Sequence, residues 1–170
     1  MSSPDEDAFL QLVRENEARI RKICRVYTDG PEKRRDLFQD VLIELWRSLP
    51  SFEGEAKVGT WMYRVALNTA LTRDRSEERR ENATLSPSNP IWSDSFDPPG
   101  GKLESDERLE RLYAAIDRLD EIDRALVLMY LDERPYQEMA EVLGMSVNHV
   151  SVKLHRVKAQ LSEWLNDSKT

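Results

Sequence analysis

Between about Arg79 and Gly101 the chain carries Pro87, Pro90, Pro98 and Pro99, the pair Gly100-Gly101, and several Ser, Asn and Asp residues. Proline removes a backbone N–H and clashes with the preceding helical turn, so no helix continues through such a stretch. On both sides, apolar residues recur at three- and four-residue steps. The 170 residues therefore read as two small helical domains joined by a flexible linker. Trp92 and Phe96 are unusual in a passive tether. They are open to two readings, docking on a neighbouring domain or anchoring the linker to a partner.

The periodicity predicts an all-α fold. From Asp5 the apolar residues Phe9, Leu12, Val13, Ile20, Ile23, Cys24 and Tyr27 mark an amphipathic helix, which Asp29-Gly30-Pro31 stops. A second helix has Leu37, Phe38, Val41, Leu42, Leu45, Trp46 and Leu49 on its apolar side and ends at Pro50. A third runs from about Thr60, an expected N-cap, to Glu78. Helical spacing resumes with Leu109, Leu112, Ile116 and Leu119 and continues through Ile122, Leu126, Val127 and Tyr130. Pro135 then opens a pair of short helices ending near Leu165. No stretch alternates with period two, so strands are not needed.

Charge narrows the function. A formal charge of −7 and a pI near 5.0 argue against a protein that coats nucleic acid by charge alone. They leave room for a reader carried to DNA by a larger machine. Cys24 is the single cysteine, so no intramolecular disulfide or thiolate cluster forms, and its apolar neighbours suit a small buried residue. The N-terminus has no basic or apolar leader, and no apolar run approaches the ~20 residues of a membrane span. The expectation is a cytoplasmic protein. His149 and His155 are six apart with no carboxylate between them, so no metal is expected. No nucleophile grouping or glycine-rich phosphate loop appears, so neither catalysis nor a cofactor is expected.

The segment "YQEMAEVLGMSVNHVSVKLHRVKAQL" fits a helix-turn-helix. Ala140 is small where the helices cross, and Gly144 tolerates the turn. Met139, Leu143, Met145, Val150 and Leu154 hold the pair together, while Ser146 caps the second helix. Asn148, His149, Ser151, Val152, Lys153, His155 and Arg156 remain for exposed faces. From Ser146 to Gln160 there is no acidic residue. Asn and His can bond base edges, and Lys and Arg suit phosphates. Earlier, "FEGEAKVGTWMYRVALN" concentrates aromatic rings and an arginine beside a glycine-bearing loop. Such a cluster serves either packing or stacking on an unpaired base.

Together these motifs make the chain resemble an extracytoplasmic-function (ECF) sigma factor, a group 4 member of the sigma-70 family. The resemblance covers nearly everything from Phe9 to Leu165. It implies a region 2 helical bundle at 1–78, a flexible linker at 79–103 and a region 4 helix-turn-helix at 104–170. "DLFQDVLIELW" looks like region 2.2, which makes Asp36, Gln39, Asp40 and Glu44 candidates for docking on the beta-prime clamp helices of core RNA polymerase. "SFEGEAKVGTWMYRVALNTAL" looks like regions 2.3 and 2.4. By that likeness the loop from Phe52 to Gly59 cups a flipped base, and Phe52, Lys57, Trp61, Tyr63, Arg64 and Asn68 contact the −10 element. For Trp61, core packing and DNA contact stay equally open. Asn68 sits mid-helix, where asparagine has poor propensity, and its amide can read a base edge.

The helix-turn-helix looks like region 4.2, the −35 reader. The resemblance further implies promoter DNA, the polymerase beta flap and an anti-sigma factor as partners. It also suggests that the acidic linker residues Asp94, Asp97 and Glu104 suit the positively charged RNA-exit path. The chain departs from the family at Glu53, where a basic residue is common, and at Asn148-His149 and Ser151-Val152-Lys153 in the recognition helix. Two rival readings follow: a free-standing helix-turn-helix regulator, and a sigma-like adaptor that binds a partner without reading DNA.

Overall fold

Gly30 and Pro31 make the first corner of the chain. Gly30 takes φ 88°, a conformation that side-chain-bearing residues rarely adopt, and Pro31 begins the next helix with φ already suited to it. The computed structural model describes the backbone of residues 4–52, 57–83 and 103–167 and the side chains of 5–52, 57–73 and 107–167. Among these residues every element is helical, in agreement with the expected all-α class. The chain divides into two compact units, Met1–Asp94 and Ser95–Thr170.

The first unit packs α1 (Pro4–Tyr27), α2 (Pro31–Ser48) and α3 (Val58–Ala83) against one another, with a single 3-10 turn, Leu49–Ser51, closing α2. Ile20, Ile23 and Cys24 of α1 meet Leu37, Val41 and Leu45 of α2 and Met62, Ala66, Leu67 and Ala70 of α3, all essentially excluded from water. The four-residue spacing of Leu37, Val41 and Leu45 lines one side of α2. Each such aliphatic side chain contributes about 1.5–3 kcal/mol by burial. Asn16 is the buried polar group on α1. Its amide donates to the Leu12 carbonyl at 2.8 Å, and its oxygen accepts from Arg19 at 2.9 Å. Burial pushes the Cys24 thiol up to about 12, against the opposing pull of Arg21 and Arg73. This matches the expected inert, packed cysteine.

The second unit consists of α4 (Leu103–Asp117), α5 (Glu121–Leu131), α6 (Tyr136–Leu143) and α7 (Val147–Asp167). The predicted continuous pattern from Leu109 to Tyr130 is broken at residues 118–120. Asp120 caps α5 by accepting the Asp123 N–H at 2.9 Å. Arg124 reaches back to the carbonyls of Leu119 and Asp117, at 3.0 and 2.7 Å, and satisfies the end of α4. The α5–α6 turn holds Glu133 at φ 56°, and Arg134 bridges it by pairing with Asp132 at 3.1 Å and with the buried Glu138 at 3.5 Å.

Three boundaries differ from the sequence expectation. The third helix starts at Val58 and reaches Ala83, so Thr60 lies inside its first turn and is not its cap. The final helix is long, 21 residues. Pro50 bends the chain into a 3-10 turn and does not stop it outright. Glu53, Trp92, Asp94, Phe96 and Asp97, and the side chain of Glu104, lie outside the described residues.

Candidate nucleic-acid and partner interfaces

Adjacent residues of a helix are turned about 100° apart. On α2 the buried stripe Leu37, Val41, Leu45 leaves Asp36, Gln39, Asp40, Ile43 and Trp46 on exposed sides. Of the four candidates there, Gln39 is exposed. Asp40 accepts from Arg73 of α3 at 2.7 Å, and Asp36 lies 3.6 Å from the same guanidinium. Glu44 pairs with Arg47 at 3.2 Å. Two features arise only on packing, and the second corrects the expected place of Trp46 on the apolar side of α2. Arg73 joins α2 to α3 from far along the chain. Ile43 and Trp46 are exposed apolar residues that extend the polar row, with the Trp46 ring edge-on to Phe9 at 5.1 Å.

On α3 the candidates separate by face. Lys57 and Asn68 are exposed and Arg64 is half-buried, and all three lie on the side away from the core. Trp61 lies in the same direction but is only 8% exposed, because the Phe52 ring packs on it at 4.9 Å with a 35° tilt. Tyr63, in contrast, points into the bundle and is 2% exposed. Its place beside Arg64 in sequence puts it about 100° away in space. In this arrangement Tyr63 packs as a core residue and its ring is not presented to solvent. Thr60 is also buried, and its Oγ1 has no hydrogen-bond partner among the described residues.

The helix-turn-helix is built as the residue types required. Gly144 ends α6 at φ 67°, and the Met145 N–H closes the turn on the Ala140 carbonyl at 3.1 Å. Ser146 Oγ accepts the His149 N–H at 3.1 Å, the expected cap of α7. Met139, Val150 and Leu154 are fully buried where α6 and α7 pack. Asn148, His149, Ser151, Val152, His155 and Arg156 are all exposed. Lys153 is different. It turns toward α5, where its ammonium lies 3.3 Å from Asp123 Oδ1, with both side chains mostly covered. Asp123 Oδ1 makes no well-directed hydrogen bond, so the ion pair is its compensation for burial. Sequence spacing placed Lys153 among the free phosphate contacts; the structure ties it down. Among the described residues no cluster of His, Cys, Asp and Glu could hold a metal, and no helix is long and apolar enough to cross a membrane.

A helical bundle followed by a helix-turn-helix with a basic outer face defines a class of DNA-reading transcription protein. Residues 12–80 match Sigma-70 region 2, and residues 109–161 match Sigma-70, region 4. The chain belongs to the sigma-70 family, as an RNA polymerase sigma factor of the ECF type. It is similar to RNA polymerase sigma factor YlaC of Bacillus subtilis (strain 168), 28% identical over 96% of this chain and 95% of that protein. ECF RNA polymerase sigma factor SigW of the same organism is 25% identical over 96% of this chain and 91% of its own length. The ECF RNA polymerase sigma-E factor of Escherichia coli (strain K12) is 27% identical, over 91% and 84%. Among solved structures, the sigma factor RpoE in complex with the anti-sigma factor NepR from Bartonella quintana matches with TM-score 0.73 at 21% identity, covering 95% of this chain and 96% of that one. CnrH in complex with the cytosolic domain of CnrY matches with TM-score 0.70 at 22% identity, covering 95% and 90%. These two likenesses are of fold.

Proposed function

We propose that the protein confers promoter specificity on core RNA polymerase in the cytoplasm and performs no catalysis itself. In this reading, residues 1–78 bind polymerase and open the −10 element, residues 79–103 connect, and residues 104–170 read the −35 element and meet the beta flap. The observation that carries it is the outer face of α7. In a chain of charge −7, fifteen residues from Ser146 to Gln160 contain no acid and display Asn148, His149, His155 and Arg156 to solvent. Polymerase supplies the nonspecific grip that an acidic protein lacks.

Gln39, with the neighbouring Asp36, Asp40 and Glu44, is assigned to the clamp helices. The ion pairs there are exposed on the carboxylate side and worth only ~0–1 kcal/mol, so exchanging Arg73 or Arg47 for a basic partner costs little. On α3, Phe52 lies over Trp61 as a removable cover. An aromatic pair adds ~0.5–1.5 kcal/mol, whereas base stacking on an aromatic is worth ~1–3 kcal/mol. A flipped base can therefore replace Phe52 on Trp61, or stack beside it, with Lys57, Arg64 and Asn68 along the strand. An anti-sigma factor is the assigned inhibitor, since the two fold relatives named above were each solved with such a partner or a partner's cytosolic domain.

The first test is equilibrium binding of the labelled protein to bacterial core RNA polymerase. Gln39→Ala, which disturbs none of the ion pairs above, should weaken binding about thirtyfold, the lower bound of an interface hot spot. A well-folded wild type that ignores core polymerase would overturn the proposal.

A further inference from the structure

Val152 is 53% exposed, the most exposed of the large hydrophobic side chains on the described surface. It occupies the middle of the α7 reading face. The buried stripe of α7 is Val150, Leu154, Val157 and Leu161. Stepping about 100° per residue, the direction opposite that stripe holds Asn148, Val152 and Arg156, each one turn from the next. His155 lies beside them. The two lysines that flank this row are both turned aside, Lys153 paired with Asp123 and Lys158 lying over the Tyr130 ring at 4.5 Å. The centre of a face otherwise made of hydrogen-bonding groups is therefore an apolar patch the size of two methyl groups.

In the major groove, only thymine offers a methyl group, at C5; the other base edges are read chiefly through donors and acceptors. Valine against a base edge that carries only polar groups would strip their water and return nothing. We propose that Val152 is a specificity-determining residue that recognises a thymine methyl within the −35 element. The inference rests on the proposed reading of α7 as the −35 helix and adds the chemistry of its central contact. Asn148 precedes Val152 by one turn, about 6 Å along the axis, or roughly two base-pair steps at 3.4 Å each. Asparagine pairs with adenine N6 and N7. The thymine is thus expected within about two base pairs of an adenine contacted by Asn148.

The test uses holoenzyme reconstituted from the full chain and core polymerase. Promoter duplexes are selected from a pool randomised in the upstream element, and each thymine of the winners is then replaced singly by deoxyuridine. That change deletes one methyl and leaves base pairing intact. Wild-type holoenzyme should lose about fourfold in affinity at one thymine position, the worth of one buried methyl. Val152→Ala should bind the thymine and deoxyuridine versions of that position equally. The substitution is at an exposed helix position and favours helix, so folding is preserved. Absence of any deoxyuridine-sensitive position, or a sensitivity that persists in Val152→Ala, overturns the inference while leaving the sigma reading standing. No holoenzyme, or no enrichment of any upstream sequence, removes the reading beneath it.

Discussion

Lys153 carries a positive charge on the recognition helix, yet its ammonium lies 3.3 Å from Asp123 of α5 and both side chains are largely covered. Removing one partner leaves the other charge poorly hydrated. Lys153→Ala should therefore destabilise the protein by about 1–3 kcal/mol, read by urea unfolding, with Asp123→Asn in the same chain recovering most of the loss. The salt dependence of promoter binding should stay unchanged. A slope that falls by about one unit would show instead that Lys153 leaves Asp123 for a phosphate on DNA. Cys24 gives a second check at this scale. Its raised pKa, about 12 against an ordinary 9.0, reflects burial. The folded state holds the proton that the unfolded state releases above pH 9, so this contribution to stability is present below that pH and lost as pH rises toward 12. In native protein at pH 8 the thiolate is therefore far scarcer than in an unfolded chain. Alkylation by iodoacetamide should accordingly wait for unfolding.

Among the elements, the α6–α7 turn depends on Gly144. A Cβ there meets no atom within 4 Å, but φ is +67°. Gly144→Ala is thus a purely backbone strain of about 1–2 kcal/mol, and Gly144→Asn should cost less because asparagine tolerates this region. Thermal unfolding of the two variants checks the order. On α3, Asn68→Ala should impair opening of the −10 element in a permanganate footprint while leaving polymerase binding intact; Tyr63→Ala should cost about 3–5 kcal/mol of stability. Much at this scale was legible beforehand. Apolar steps located the helices, Gly30-Pro31 located the first corner, and Ser146 located the start of α7. The α4–α5 break escaped because Ile116, Leu119, Ile122 and Leu126 keep helical spacing across it; the signal was the cap formed by Asp120 with the N–H three residues on. Thr60 looked like a cap because it precedes Trp61, but α3 begins two residues earlier, at Val58.

For the whole molecule, the excess of acid decides how DNA is approached. A chain of −7 cannot rely on counterion release over a broad basic surface. The isolated protein should bind duplex promoter DNA no more tightly than about micromolar at physiological salt, within the nonspecific range, and core polymerase should restore selective binding in the same gel-shift assay. The all-α class, the division into two helical units, the helix-turn-helix and its basic face were all determined by the sequence alone. Periodicity, helix breakers, caps and local charge act over a few residues, and each can be read in order along the chain. Only the tertiary structure decided which of the candidate side chains are available. Phe52 covers Trp61, Arg73 holds Asp40 from 33 residues away, Asp123 holds Lys153, and the turn of α3 buries Tyr63 while exposing Asn68. Those partners meet only when helices pack, and no local pattern records which neighbour packing will bring.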